Sequence, residues 1–183
     1  MPNKVKFNCL ATGIGSMPDT DASTACQRIF RYLKDVPFWP QLPKRSSKEN
    51  MYLQLSEGFP GAVVENDHIY AEKSEEFESG LEKVYVAYLE NRPDDFAISR
   101  EYAAGLYAFV DYGGGHFHFV KGQVAGPVSW GLVATDRQQR GIIYDEVLGD
   151  AVARFLRLKA AWQEKLLRKV AKNTIIFIDE PYL

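Results

Sequence analysis

The sequence predicts an α/β protein, a single domain over 1–183 that corresponds to the N-terminal half of a (β/α)8 barrel carrying a β-hairpin insertion. Three observations predict it. The first is the closing stretch, Thr174-Ile175-Ile176-Phe177-Ile178-Asp179-Glu180-Pro181. An unbroken run of β-favouring apolar residues suits a strand buried on both faces, as in a parallel sheet covered by helices. Pro181 ends it, because proline has no N–H for the ladder, so Asp179 and Glu180 fall at the carboxyl end of that strand. The second is the order strand, helix, short strand, helices, strand, helix, strand, which is the succession of parallel crossovers. The third is that turn and polar residues gather after the strands, where barrels and open α/β sheets place their chemistry. A chain of 183 residues is short for eight such units and sufficient for four.

Taken in order, residues 7–12 read as a short strand and Gly13-Ile14-Gly15-Ser16-Met17-Pro18 as a sharp turn. Two glycines let the backbone approach a ligand and Ser16 adds a hydroxyl, which makes an anion cradle one reading and a simple turn the other. Asp19, Thr20 or Asp21 can cap the next helix, whose Ala22, Ala25, Cys26, Ile29, Phe30 and Leu33 keep helical spacing. The prolines of 36–43 allow only a short strand near Phe38 to Gln41. The polar loop of Lys44, Arg45 and Glu49 follows, and then a short helix through Met51, Leu53 and Leu55. Residues 62–65 and 68–71 about Asn66-Asp67 read as a hairpin, an insertion able to act as a flap.

Ser74 is placed to cap a helix with Phe77, Leu81, Val84, Tyr85 and Tyr88 on its apolar stripe, stopped at Asn91-Arg92-Pro93. Ser99 is placed to cap another, with Tyr102, Leu106, Phe109 and Val110, which Gly113-Gly114-Gly115 breaks. Residues 116–124 form the next strand, on which His116 and His118 share a side but have no Cys, Asp or Glu at ligand spacing. Gly126-Pro127 closes that strand, a shape suited to a pocket wall. The longest helix runs from Tyr144 to Lys169, with acids at its start and bases at its end as the macrodipole favours.

Composition excludes several classes. A net charge of −2 with 46% hydrophobic residues gives no bulk attraction for nucleic acid or anionic lipid, so the partners expected are small molecules or protein. Cys9 and Cys26 are too isolated for a disulfide framework or a paired metal site. The N-terminus lacks the apolar core of a signal peptide and no window reaches a membrane span, so the expected place is the cytoplasm.

Three motifs carry a resemblance. Gly13-Ile14-Gly15-Ser16-Met17-Pro18, Lys121-Gly122-Gln123-Val124-Ala125-Gly126-Pro127-Val128-Ser129 and Ile176-Phe177-Ile178-Asp179-Glu180-Pro181 resemble successive motifs of the cobalamin-independent methionine synthase and uroporphyrinogen decarboxylase superfamily, most of all the catalytic C-terminal barrel of the synthases. The resemblance implies a TIM barrel that transfers a methyl group to a thiol, usually homocysteine, held as a thiolate on zinc. It implies that Ile14, Gly15 and Ser16 grip the amino acid's carboxylate and that Asp179, beside Glu180, grips its amino group. It matches Glu49 to a substrate-binding glutamate after the second strand.

The zinc ligands of that family, a His, two Cys and a Glu, belong to the second half of the barrel. The resemblance therefore implies zinc only with that half and none in this chain, which alone should not transfer methyl groups. The methyl donor expected is a folate or a corrinoid. Two alternatives stand beside this reading: an enzyme of the same superfamily acting on another methyl donor or thiol, and a non-catalytic binding or assembly module. An apolar strand at 175–178 with a bare edge predicts a homo-oligomer formed through the open barrel edge.

Overall fold

A computed structural model describes residues 9–112 and 117–183. Phe7 and Asn8 of the expected first strand, the Gly113-Gly114-Gly115 break and His116 lie outside the described residues. Over the described residues the fold is mixed α/β with five α-helices and two two-stranded sheets, and these strands close no barrel.

Asp21 starts α1 (Ala22–Tyr32): its carboxylate accepts the Thr24 amide at 2.7 Å, satisfying one of the first-turn donors. The buried side of α1, Ala25, Cys26 and Ile29, follows the expected spacing. The short helix expected through Met51, Leu53 and Leu55 is instead a 3-10 turn at Leu53–Leu55, and another such turn, Ser47–Glu49, stands in the polar loop before it. β1 (Ala62–Glu65) and β2 (His68–Ala71) then form the expected antiparallel hairpin. Asn66 and Asp67 both take positive φ, 50° and 63°, as a two-residue turn matched to strand twist requires.

That hairpin is not a free flap. Thr135 adds to the open edge of β2, its amide donating to Ile69 O at 3.0 Å and its carbonyl accepting from Ala71 N at 2.9 Å. Arg137 clamps the same face, donating twice to Glu65 and once to Glu72 while its guanidinium lies 4.6 Å from the Tyr70 ring.

α2 (Phe77–Leu89) and α3 (Ala104–Asp111) follow. Neither serine expected as a cap is the cap. α2 begins after Glu76, and Ser99–Ala103 winds a turn before α3 starts. β3 (Phe117–Ala125) leads through Gly126 into α4 (Pro127–Val133), a helix the sequence reading omitted. Proline at the first helical position needs no amide partner and presets φ, so Gly126-Pro127 starts a helix as well as ending a strand. α5 (Glu146–Leu167) is capped by Asp145, whose carboxylate accepts the Val147 and Leu148 amides at 3.0 Å. β4 (Ala171–Asp179) is longer than expected.

β3 and β4 pair in parallel, with Lys121 opposite Ile175 and Ala125 opposite Asp179. Two earlier segments extend this sheet through single parallel bridges, Phe38 to Lys121 and Ser16 to Gln41. Four parallel segments thus lie side by side in chain order. The N-terminal one forms no ladder over residues 9–15 and touches its neighbour at Ser16. β4 was expected to be buried on both faces, yet Phe177 is 40% and Ile178 62% exposed, because no described strand pairs with its outer edge.

The main core packs α5 over the sheet. Phe155 sits edge-on to Phe59 and Phe96, with ring centroids 5.3 and 5.4 Å apart, and Phe59 meets Trp130 at 5.0 Å. Such pairs add about 0.5–1.5 kcal/mol each to area burial. Trp130 is fully buried and its indole N–H donates to Tyr52 O at 3.0 Å, as a buried ring donor must. Among the described residues no helix is long and apolar enough to cross a membrane.

Candidate functional site

Side chains at alternate positions of a strand share a face, so Lys121, Gln123 and Ala125 point the same way as their partners Ile175, Phe177 and Asp179. On that face Lys121 is fully buried. Its ammonium donates to Ile14 O and, at 3.2 Å, to Gln123 Oε1, and it stands 4.6 Å from the centre of the Phe177 ring. Burial pushes the amine down to about 8, while Asp179 pulls it back up. Asp179 responds in kind: half-burial pushes its carboxyl up and Lys121 draws it down. The two charges are coupled across the strand pair without a direct ion pair.

A ring of amide contacts stiffens this region. The Trp39 indole donates to Gln163 Oε1 at 3.0 Å, Gln163 donates to Gln123 O at 2.9 Å, and Gln123 donates to Trp39 O at 3.2 Å. These bonds tie residues 38–41, β3 and α5 together. Against them rests the glycine turn. A Cβ on Gly15, whose φ is +154°, would stand 2.8 Å from the Gln123 amide carbon and 2.9 Å from Gln41 Oε1, so only glycine fits there. The turn is seated by two backbone bonds, Met17 N to Gln41 O at 2.9 Å and Gln41 N to Gly15 O at 3.0 Å. Ile14 is 77% exposed and the Ser16 residue is exposed beside it.

The other expected site residues have different surroundings. Glu180 accepts the Val128 and Ser129 amides at 3.0 and 2.7 Å, so it caps the first turn of α4. A Cβ on Gly126 would come within 2.1 Å of the Glu180 side chain, which favours glycine there. Glu49 is fully buried, bonded to Arg45 at 2.5 Å through Oε1, while its Oε2 has no hydrogen-bond partner. Burial pushes its carboxyl up and Arg45 opposes the shift. No hydrogen bond joins Glu49 to Ser16 or Asp179. The structure thus bonds the Ile14 turn to Lys121, sets Asp179 on the same sheet face within electrostatic reach of that lysine, packs Glu180 against Gly126, and leaves Glu49 in a separate ion pair.

Lys48 of the basic loop pairs with Glu101 at 2.5 Å, and Lys44 is exposed. His118 is exposed on β3, its ring edge-on to Phe119 at 4.4 Å. Cys26 is buried with its Sγ 3.8 Å from Gly105 O, and burial pushes the thiol up to about 12. Such a thiol is a poor metal ligand, and among the described residues no three His, Cys, Asp or Glu cluster as a metal would need.

Lys121 and Gln123 are the site residues the sequence reading missed. A signal was available, since a lone lysine inside Phe119-Val120-Lys121-Gly122-Gln123-Val124 must be buried, paired or at an edge. No protein-family model, curated protein or solved structure matches the chain.

Proposed function

We propose that these residues form the first four βα units of a (β/α)8 barrel of the methionine synthase and uroporphyrinogen decarboxylase type. In this reading the Gly15-Ser16 turn and Asp179 bind the carboxylate and ammonium of an amino acid such as homocysteine or methionine. One observation carries the reading: the Lys121 ammonium holds the Ile14 carbonyl and acts electrostatically on the Asp179 carboxylate, which the strand register puts on the same face of the sheet. The sequential parallel order of the four segments supports the barrel. A glycine turn with an adjacent hydroxyl suits a carboxylate, and an ionised aspartate suits an ammonium. Glu180 and Glu49 are structural carboxylates in this reading. In the complete form a methyl group passes from a folate or corrinoid to the thiol sulfur, and residues outside this sequence hold the zinc.

Calorimetric titration of the chain with L-methionine and L-homocysteine tests the pocket. Both should bind, and Ser16→Ala should weaken them about 10-fold by removing one hydrogen bond to a charged group, worth about 1.5 kcal/mol. A folded sample that binds neither amino acid removes the proposal.

The apolar edge of β4 adds a second expectation. A strand edge with Phe177 and Ile178 exposed is a template for pairing, and we propose that a second copy of the chain occupies it. Light scattering should give a dimer or larger species, and a strictly monomeric, well-folded protein would exclude that pairing.

A further inference from the structure

Buried lysines need a reason, because an ammonium taken out of water costs several kcal/mol even after relaxation. Among the described residues two are fully buried, and their partners differ. Lys159 donates to the carbonyls of Glu57 and Ala97, in the turns before β1 and α3, and its surroundings account for it as a structural bracket. The partners of Lys121 are Ile14 O, in the glycine turn, and Gln123, against which Gly15 packs. Its aromatic walls are Phe177, two residues before Asp179, and Phe38 at 6.0 Å. Other ionisable groups at this end of the sheet are Glu180, spent on the α4 amides, and the tyrosines Tyr52 and Tyr182. The cation acting on Asp179 is Lys121.

We infer that Lys121 is the positioning residue of the amino-acid site, its buried ammonium holding the Ile14 carbonyl of the glycine turn on the sheet face that also carries Asp179. One side chain thereby sets the place of the carboxylate cradle and the charge of the ammonium anchor. This rests on the reading of Ser16 and Asp179 as amino-acid ligands, but its first test needs no ligand.

Carbon-detected NMR titration of the aspartate carboxyls, with Asp179 assigned from Asp179→Asn, compares the wild type with Lys121→Met, Lys121→Gln and Lys121→Arg. Removing a cation near a half-buried carboxyl should raise its titration midpoint by about one pH unit. The rise is expected in Met and Gln, and Arg should restore the wild-type midpoint. Amide exchange at Met17 and Gln41, whose bonds seat the turn, should quicken at least about 10-fold in Met, the loss of roughly 1.4 kcal/mol of local protection. Lys121→Met should melt no lower than the wild type, because a linear apolar chain replaces a buried charge. Should it fail to fold, the Gln and Arg pair alone decides.

An Asp179 midpoint and amide exchange indifferent to the charge at 121 would overturn the inference. Methionine titration separates the two levels. Binding lost in Ser16→Ala and Asp179→Asn but unchanged in Lys121→Met would leave the pocket standing and remove Lys121 from it. A charge-dependent Asp179 midpoint in a protein that binds no amino acid would keep the coupling and remove the amino-acid site, and with it the assigned role.

Discussion

Lys159→Met should unfold at higher urea than the wild type at pH 7 and lose that advantage by pH 10.5. Lys159 lies in α5, fully buried, with its ammonium 2.7 Å from Glu57 O. Burial pushes the amine down to about 8 and Glu57 acts against the shift. The folded pKa is below the unfolded one, so below pH 8 both states carry the proton and the folded state bears the whole cost of the buried charge. Between about 8 and 10.5 the folded protein releases that proton while the unfolded chain keeps it. The unfolded state then binds more protons, and stability rises with pH.

At about 1.4 kcal/mol per pH unit the cost at pH 7 is roughly 3 kcal/mol, of which the Glu57 and Ala97 carbonyls left unpaired by methionine together return about 1 to 2. A net gain of about 1–2 kcal/mol at pH 7 is therefore expected, turning into a loss at pH 10.5. Cys26 works against the wild-type trend, since a thiol pushed up to about 12 makes stability fall as the unfolded thiol ionises. Lys121 acts with the trend. Both are common to the two proteins, so the difference between their urea midpoints isolates Lys159. A difference that does not change with pH would show that folding does not depress the Lys159 amine.

Asp179→Asn should separate stability from binding. The proposed ammonium contact is charge-assisted, and truncating one member of a desolvated pair costs about 2–5 kcal/mol, so affinity for L-methionine should fall at least about 30-fold. The same substitution should hold or raise the melting temperature. Burial pushes the Asp179 carboxyl up relative to the unfolded chain, so its ionisation opposes folding at neutral pH, and an amide removes that opposition. The wild type should also lose methionine as pH falls through the raised carboxyl range, a dependence the Asn variant lacks. Calorimetry across pH and a thermal melt of both proteins read this directly. An Asn variant that binds like the wild type would remove Asp179 as the anchor.

Features with local signals were legible in the sequence. Asp21, one of three candidate caps, announces α1 because a cap acts within three residues, Asp145 was legible only as an acid at the start of α5, and Asn66-Asp67 announces the hairpin because both tolerate positive φ. The apolar period of α5 locates it to within two residues at each end. What escaped depends on partners far along the chain. α4 is stabilised at its start by Glu180, and nothing near Pro127 reveals that carboxylate. Ser74 and Ser99 carry the right side chain for a cap, but the backbone turns first and the helices begin later. The anchoring of the hairpin by Thr135 and Arg137 is likewise a meeting of distant segments. At the candidate site, residue types pointed to the Ser16 turn and Asp179. Their link escaped, because periodicity alone does not tell which face of β3 Lys121 takes or that Ile14 O lies over it.

The chain-order arrangement of the parallel segments bears on how the protein is made. Residues leave the ribosome at roughly 5–20 per second, slowly enough for each helix to form before the next strand emerges. Residues 38–41 find the Ser16 turn already synthesised, β3 finds residues 38–41, and β4 finds β3. No strand must wait for a later one to be inserted between it and its neighbour. Assembly can therefore proceed as one-directional growth, and the glycine turn that receives Lys121 is present, though not yet held, before its clamp is made.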